Sequence, residues 1–132
     1  MNAPPPLWHR SFTSISIANL LMAVSFYFML PILPIYMVDV LGASKGEVGL
    51  VLSFYTIAAL AIRPFGGWAI DRFGRKWIYL AAYIIFSLLF IGYPLSATVL
   101  LLVLVRFTHG LTWGVLTTAG STIAVDLIPP SR

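Results

Sequence analysis

Four apolar stretches, at residues 12–38, 48–68, 77–95 and 99–124, take up most of the 132 residues and leave few folds open. A helix crossing the hydrocarbon core of a bilayer needs about 20 consecutive, mostly apolar residues, and each stretch is of that order or longer. In lipid no water satisfies a bare peptide group, so a spanning segment closes its own hydrogen bonds as a helix or joins a closed barrel. Barrel strands alternate polar and apolar residues; this sequence does not, which selects helices. Hydrophobic residues make up 60% of the chain and charged ones 9%, too little charge to coat a soluble domain of this size. The expected fold class is all-α integral membrane, with four transmembrane helices.

Several function classes drop out early. The net charge of +4 comes from scattered Lys and Arg that form no basic face, so nucleic acid is not an expected partner. With no cysteine, disulfides, thiol nucleophiles and thiolate metal sites are excluded. His9 and His109 lie far apart and show no metal-ligand spacing, so neither a metal nor any other cofactor is expected. No paired-carboxylate, nucleophile–base or phosphate-loop pattern points to an enzyme. The first apolar stretch is too long for the core of a signal peptide, typically about 7–15 residues. It reads as the first transmembrane helix, behind a short tail at residues 1–11 stiffened by Pro4, Pro5 and Pro6.

The eight basic residues set an orientation. Arg10, Arg72, Arg75, Lys76 and Arg132 fall on one side of the four spans, Lys45 falls on the other, and Arg63 and Arg106 lie within spans. Lys and Arg accumulate on the cytoplasmic side, which places the N-terminus, the 69–76 loop and the 125–132 segment in the cytoplasm. The expected location is the plasma (inner) membrane, as a multi-pass protein.

The link between the second and third spans is the most specific segment, with Gly67, Asp71, Arg72, Gly74, Arg75 and Lys76 in ten residues. Asp71 and Gly74 sit where a type I turn favours Asp first and Gly fourth. Gly66 and Gly67 admit a close helix neighbour. Arg72, Arg75 and Lys76 suit anionic headgroups, so one reading of the loop is a topological anchor. Asp71 fits that reading poorly, because an acid in a basic loop weakens it. A carboxylate there can cap a neighbouring helix or pair with a base.

The fourth span contains Arg106 inside an apolar run. A charge near the middle of a span costs about 2.5–3.5 kcal/mol on insertion scales, so it faces protein or water more readily than lipid. At helical spacing Arg106, His109, Gly110, Trp113, Gly114, Thr117 and Ser121 share one face, opposite Leu, Val and Ile. Two readings stay open: a cavity lining, or a snorkelling arginine beside a Gly110–Gly114 packing seam. Asn19, Phe26 and Tyr27 of the first span are candidates for the same cavity, with ordinary helix packing as the alternative. Pro31 and Pro34 are expected to kink that span, and a tight turn is expected at Tyr93, Pro94, Leu95 and Ser96. The third span, aromatic and without charge, reads as an outer, lipid-facing helix. No acid occurs inside any of the four spans.

The 67–76 segment resembles the signature loop between helices 2 and 3 of the major facilitator superfamily of secondary transporters, Gly-x3-Asp-Arg/Lys-x-Gly-Arg/Lys-Arg/Lys, at every defined position. The fourth span is similar to the Arg-x-x-Gln-Gly motif of helix 4, matching at Arg106 and Gly110, with His109 in place of the glutamine. The outer end of the first span, Leu30 to Tyr36, resembles the drug-exporter branch. The resemblance implies a twelve-helix fold of which this chain holds helices 1–4, ending in the link to helix 5. It implies a proton-coupled exporter of a small molecule working by alternating access, with the remaining helices of the same transporter as partners. It further implies a cytoplasmic latch at Asp71 and its basic neighbours, and a coupling role for Arg106. Two other readings stand beside it: a non-transporting membrane scaffold or receptor on the same fold, and a complete four-helix exporter working as a dimer. The latter usually depends on an acid in helix 1, and this helix 1 has none.

Overall fold

The computed structural model describes residues 8–128. Five helices follow one another: α1 (Arg10–Asp39), α2 (Lys45–Ala61), α3 (Arg63–Phe73), α4 (Arg75–Leu95) and α5 (Val99–Asp126). No strand occurs among the described residues. α1, α4 and α5 are each long and apolar enough to cross a membrane, and α2 with α3 forms a fourth such unit, bent by 43°. All four apolar stretches of the sequence thus hold helix. Pro4–Pro6 of the tail and residues 129–132, including Arg132, lie outside the described residues.

The helix ends depart from expectation in three places. The second stretch is broken at Ile62, because Pro64 near the start of α3 has no N–H to give the carbonyl four residues back and its ring crowds that carbonyl. Beyond the break the winding continues to Phe73, so Asp71 and Arg72 stand on the last turn of α3 and the expected type I turn is absent. Gly74 alone separates α3 from α4. Its φ of 87° and ψ of 137° lie in a region that side chains disfavour, which is what glycine supplies here. The expected turn at 93–96 is the closing turn of α4 itself: the helix runs through Tyr93 and Pro94 to Leu95, the Ser96 N–H donates to the Tyr93 carbonyl at 3.1 Å, and the link shrinks to residues 96–98. α1 is continuous through Pro31 and Pro34. The start of α2 is fixed by a capping box, with the Ser44 hydroxyl accepting from the Glu47 N–H at 3.3 Å and the Ser44 N–H donating to the Glu47 carboxylate at 2.8 Å.

α5 is the hub, touching every other helix, and its longest contact is with α2. The two backbones come close because Gly110 and Gly114 face α2. A Cβ on Gly110 would strike the Tyr55 carbonyl oxygen, and one on Gly114 would meet the Ala59 carbonyl and the Ile62 side chain. Small residues at such a crossing let dispersion contacts and weak hydrogen bonds hold helices together where lipid offers no hydrophobic drive. Gly120, one face further along, receives Asn19 of α1. α4 buries Tyr79, Ala82, Phe86 and Tyr93 and leaves the other side, with Ile84, Leu88 and Ile91, exposed.

Overpacking a tight crossing costs about 1–3 kcal/mol. Gly110→Val is therefore expected to lower the thermal midpoint and the yield of folded protein in detergent. Gly49→Ala, whose added carbon meets nothing within 4 Å, should leave both unchanged or slightly raised, since alanine suits a helix better than glycine. Indistinguishable melting of the two variants would rule out the seam.

Candidate functional site

α5 carries Arg106 into the middle of the bundle, where the residue is 1% exposed. The guanidinium carbon lies 4.3 Å from the Tyr55 ring centroid and 5.2 Å from that of Phe26. Arg106 Nη1 donates to the Tyr93 hydroxyl at 3.2 Å, and that hydroxyl is 2.8 Å from His109 Nδ1. His109 is fully buried, with its ring centroid 4.3 Å from Phe86 and edge-on to Phe90 at 5.0 Å. No carboxylate enters this core: Asp39, Glu47, Asp71 and Asp126 are all exposed at helix ends. The cation is held by aromatic faces and one hydroxyl. The Tyr55 hydroxyl, Arg106 Nε and His109 Nε2 are buried without a hydrogen-bond partner among the described residues.

The polar stripe of α5 divides in two. Arg106, His109, Gly110 and Gly114 turn inward, toward α2 and α4. Trp113, Thr117 and Ser121 instead meet Asn19 and Tyr27 of α1 along an open groove of about 350 Å3. Thr117 donates its hydroxyl to the Trp113 carbonyl at 3.0 Å and Ser121 to that of Thr117 at 2.7 Å, which leaves oxygen lone pairs as the polar groups on offer. The Asn19 side-chain oxygen accepts from the Tyr79 hydroxyl at 2.9 Å, which aligns its amide beside the groove. The structure therefore brings Asn19, Tyr27 and Trp113 together at the groove and encloses Arg106, His109 and Gly110 behind Phe26, whose ring centroid lies 4.5 Å from that of Trp113 and 5.2 Å from the Arg106 guanidinium carbon. Leu116, off the stripe, is fully buried in the core.

At the other candidate segment, Arg75 at the start of α4 forms an ion pair with Asp126 at the end of α5. Both side chains are partly exposed, at 44% and 42%. Arg72 lies over the Trp68 ring at 5.6 Å, and Lys76 Nζ lies 5.5 Å from the Trp77 ring centroid. Asp71 is exposed and has no ion-pair partner among the described residues, and nothing lies within 4 Å of a Cβ built on Gly67. The seam expected at Gly66 and Gly67 is occupied at Gly66 alone, by Val115 of α5.

Sequence reasoning missed Asp126 as the partner of Arg75, and Tyr93, Tyr55 and Tyr79 as the hydroxyls around the core. For Asp126 a signal existed, since an acid and a base lay on the same predicted side of the membrane. Tyr93 was hidden by Pro94, which made its surroundings read as a turn. Nothing in the order of residues distinguishes Tyr55 from the aromatics around it.

The sequence matches the family described as Major Facilitator Superfamily over residues 15–132. Among curated proteins it is similar to the quinolone resistance protein NorA of Staphylococcus aureus, 28% identical over 101 residues, 76% of this chain and 26% of NorA. It is also similar to a Na(+), Li(+), K(+)/H(+) antiporter of Planococcus maritimus, 33% identical over 89 residues, 67% of this chain and 20% of the antiporter. The chain thus spans about a quarter or less of the length of these curated relatives. No solved structure matches it. Apolar spans joined by the Gly67–Lys76 link, and a family match running from residue 15 to residue 132, lead to one conclusion: this multi-pass membrane chain belongs to the Major Facilitator Superfamily.

Proposed function

We propose that the chain supplies the first four membrane helices of a secondary transporter that exports a small molecule in exchange for protons by alternating access. The observation that carries the reading is a buried cation without a carboxylate partner among the described residues, Arg106, beside a partly polar groove at Asn19, Tyr27, Trp113 and Thr117. Charges within membrane spans are rare, and they mark transport pathways and proton relays. The relatives' printed names, a quinolone resistance protein and a cation/H(+) antiporter, support export and proton exchange. The enclosed half of the α5 stripe would equally suit a non-transporting scaffold on the same fold; the groove half favours transport.

In this reading Gly67, Asp71, Arg72, Gly74, Arg75 and Lys76 form a conformational latch on the cytoplasmic side of the plasma membrane. Arg75 is engaged within the four helices by Asp126, while Asp71 is left exposed for a partner on the remaining helices of the transporter. A charge-assisted contact of that kind is worth a few kcal/mol at most, enough to move a two-state equilibrium by one or two orders of magnitude. Arg106, His109 and Gly110 belong to the coupling region, and Asn19, Tyr27 and Trp113 line the path of the cargo.

Three measurements test this. Cysteines placed at Ser44 and Phe73 should label from opposite sides of the membrane, with Phe73 cytoplasmic; same-side labelling would sink the topology. Thr117→Cys should react with a hydrophilic thiol reagent in the full-length transporter and Val103→Cys, off the stripe and away from the groove, should not. Equal protection of both would favour the scaffold. Asp71→Asn keeps shape and hydrogen bonding but removes the charge, so transport should fall about tenfold or more while insertion stays normal. Normal transport by that variant would reduce the link to a topological anchor.

A further inference from the structure

The polar core around Arg106 has a direction. A guanidinium only donates, so the Tyr93 oxygen is the acceptor of the 3.2 Å bond from Nη1. Tyr93 has one hydrogen of its own, and the polar atom left for it is His109 Nδ1, at 2.8 Å. That nitrogen must then carry a lone pair, which puts the imidazole proton on Nε2, where it is the one hydrogen of the pair left without an acceptor among the described residues, and leaves the ring neutral. An imidazolium would turn Nδ1 into a second donor toward the same tyrosine oxygen, leaving the tyrosine hydrogen without an acceptor. The other groups packed against the imidazole are Phe26 from α1, Tyr55 from α2 and Phe86 and Phe90 from α4, and no carboxylate faces it.

We propose that Tyr93 and His109 are positioning residues, an ordered chain running from Arg106 through Tyr93 to a neutral His109. The chain holds the guanidinium over the Tyr55 ring. Without His109 as an acceptor, Tyr93 can rotate its hydroxyl away, and the arginine loses the hydrogen bond that fixes its position above that ring. What residue 109 has to provide is a lone pair at the δ position of its side chain; a charge is not required. Asparagine, whose side-chain oxygen occupies nearly the place of Nδ1, meets that need, and leucine does not.

The direct test is nitrogen NMR of the chain, labelled with 15N-histidine, in lipid nanodiscs. The His9→Asn variant isolates His109, since the sequence has only two histidines. A bare Nδ1 and a protonated Nε2 near neutral pH are expected, and Tyr93→Phe should release the ring into exchange between tautomers. A protonated Nδ1, in either the neutral or the charged ring, overturns the proposal. The second test is transport by the full-length protein, and this part rests on the transporter reading above. His109→Leu and Tyr93→Phe should each lose about tenfold or more, as expected when the hydrogen bond to a charged group is no longer held, while His109→Asn should transport at least several-fold better than His109→Leu. Equal loss in His109→Asn and His109→Leu overturns the positioning role. A parent protein that moves no cargo would sink the transporter reading instead, and the NMR result would still decide the hydrogen-bond chain.

Discussion

The close crossing of α2 and α5 at Gly110 is the constraint on which the rest of the arrangement depends. With no side chain at 110, the Tyr55 backbone lies against α5, and the Tyr55 ring is carried to within 4.3 Å of the Arg106 guanidinium. A side chain at that position would push the two helices apart and take the ring away from the charge. Backbone proximity and charge burial are thus one device: the glycine sets the distance, and the distance makes the arginine tolerable.

Magnitudes bear this out. Placing an arginine at mid-span costs about 2.5–3.5 kcal/mol on insertion scales. A desolvated cation over an aromatic face returns about 2 kcal/mol, and a hydrogen bond to a charged group about 1.5–3. The two sums are of the same size, so Arg106 needs no carboxylate among these helices to remain inside. What it retains is Nε without a partner, in a core otherwise closed by Phe26, Phe86 and Phe90.

The link between α3 and α4 works on a different scale. A half-exposed ion pair such as Arg75–Asp126 contributes about 0.2–1 kcal/mol, too little to hold helices together but enough to bias the geometry of a junction. Gly74, with its positive φ, allows the chain to reverse in a single residue, so the start of α4 comes beside the end of α5. Asp71, on the last turn of α3, is exposed and takes no part in that pair. A weak pair, a single linking glycine and an exposed acid leave this junction with little interaction energy of its own.

Length and hydropathy alone determined that the chain forms membrane helices, because lipid leaves the backbone no alternative, and the spacing of 106, 109, 110, 113 and 114 placed them on one face of α5. The link at 67–76 was legible for the same kind of reason: its residue types and spacing are local. Its winding was not, since the helix through Asp71 and Arg72 follows from the bend at Pro64 and the reversal at Gly74 acting together. Only the tertiary structure decided which part of the α5 stripe is enclosed and which lines a groove, because that depends on where α1 and α2 cross α5. The same crossing angles brought Tyr93, Tyr55 and Asp126 to their partners from positions far along the chain. Local order fixes what a helix can present; the packing of its neighbours decides what each of those groups meets.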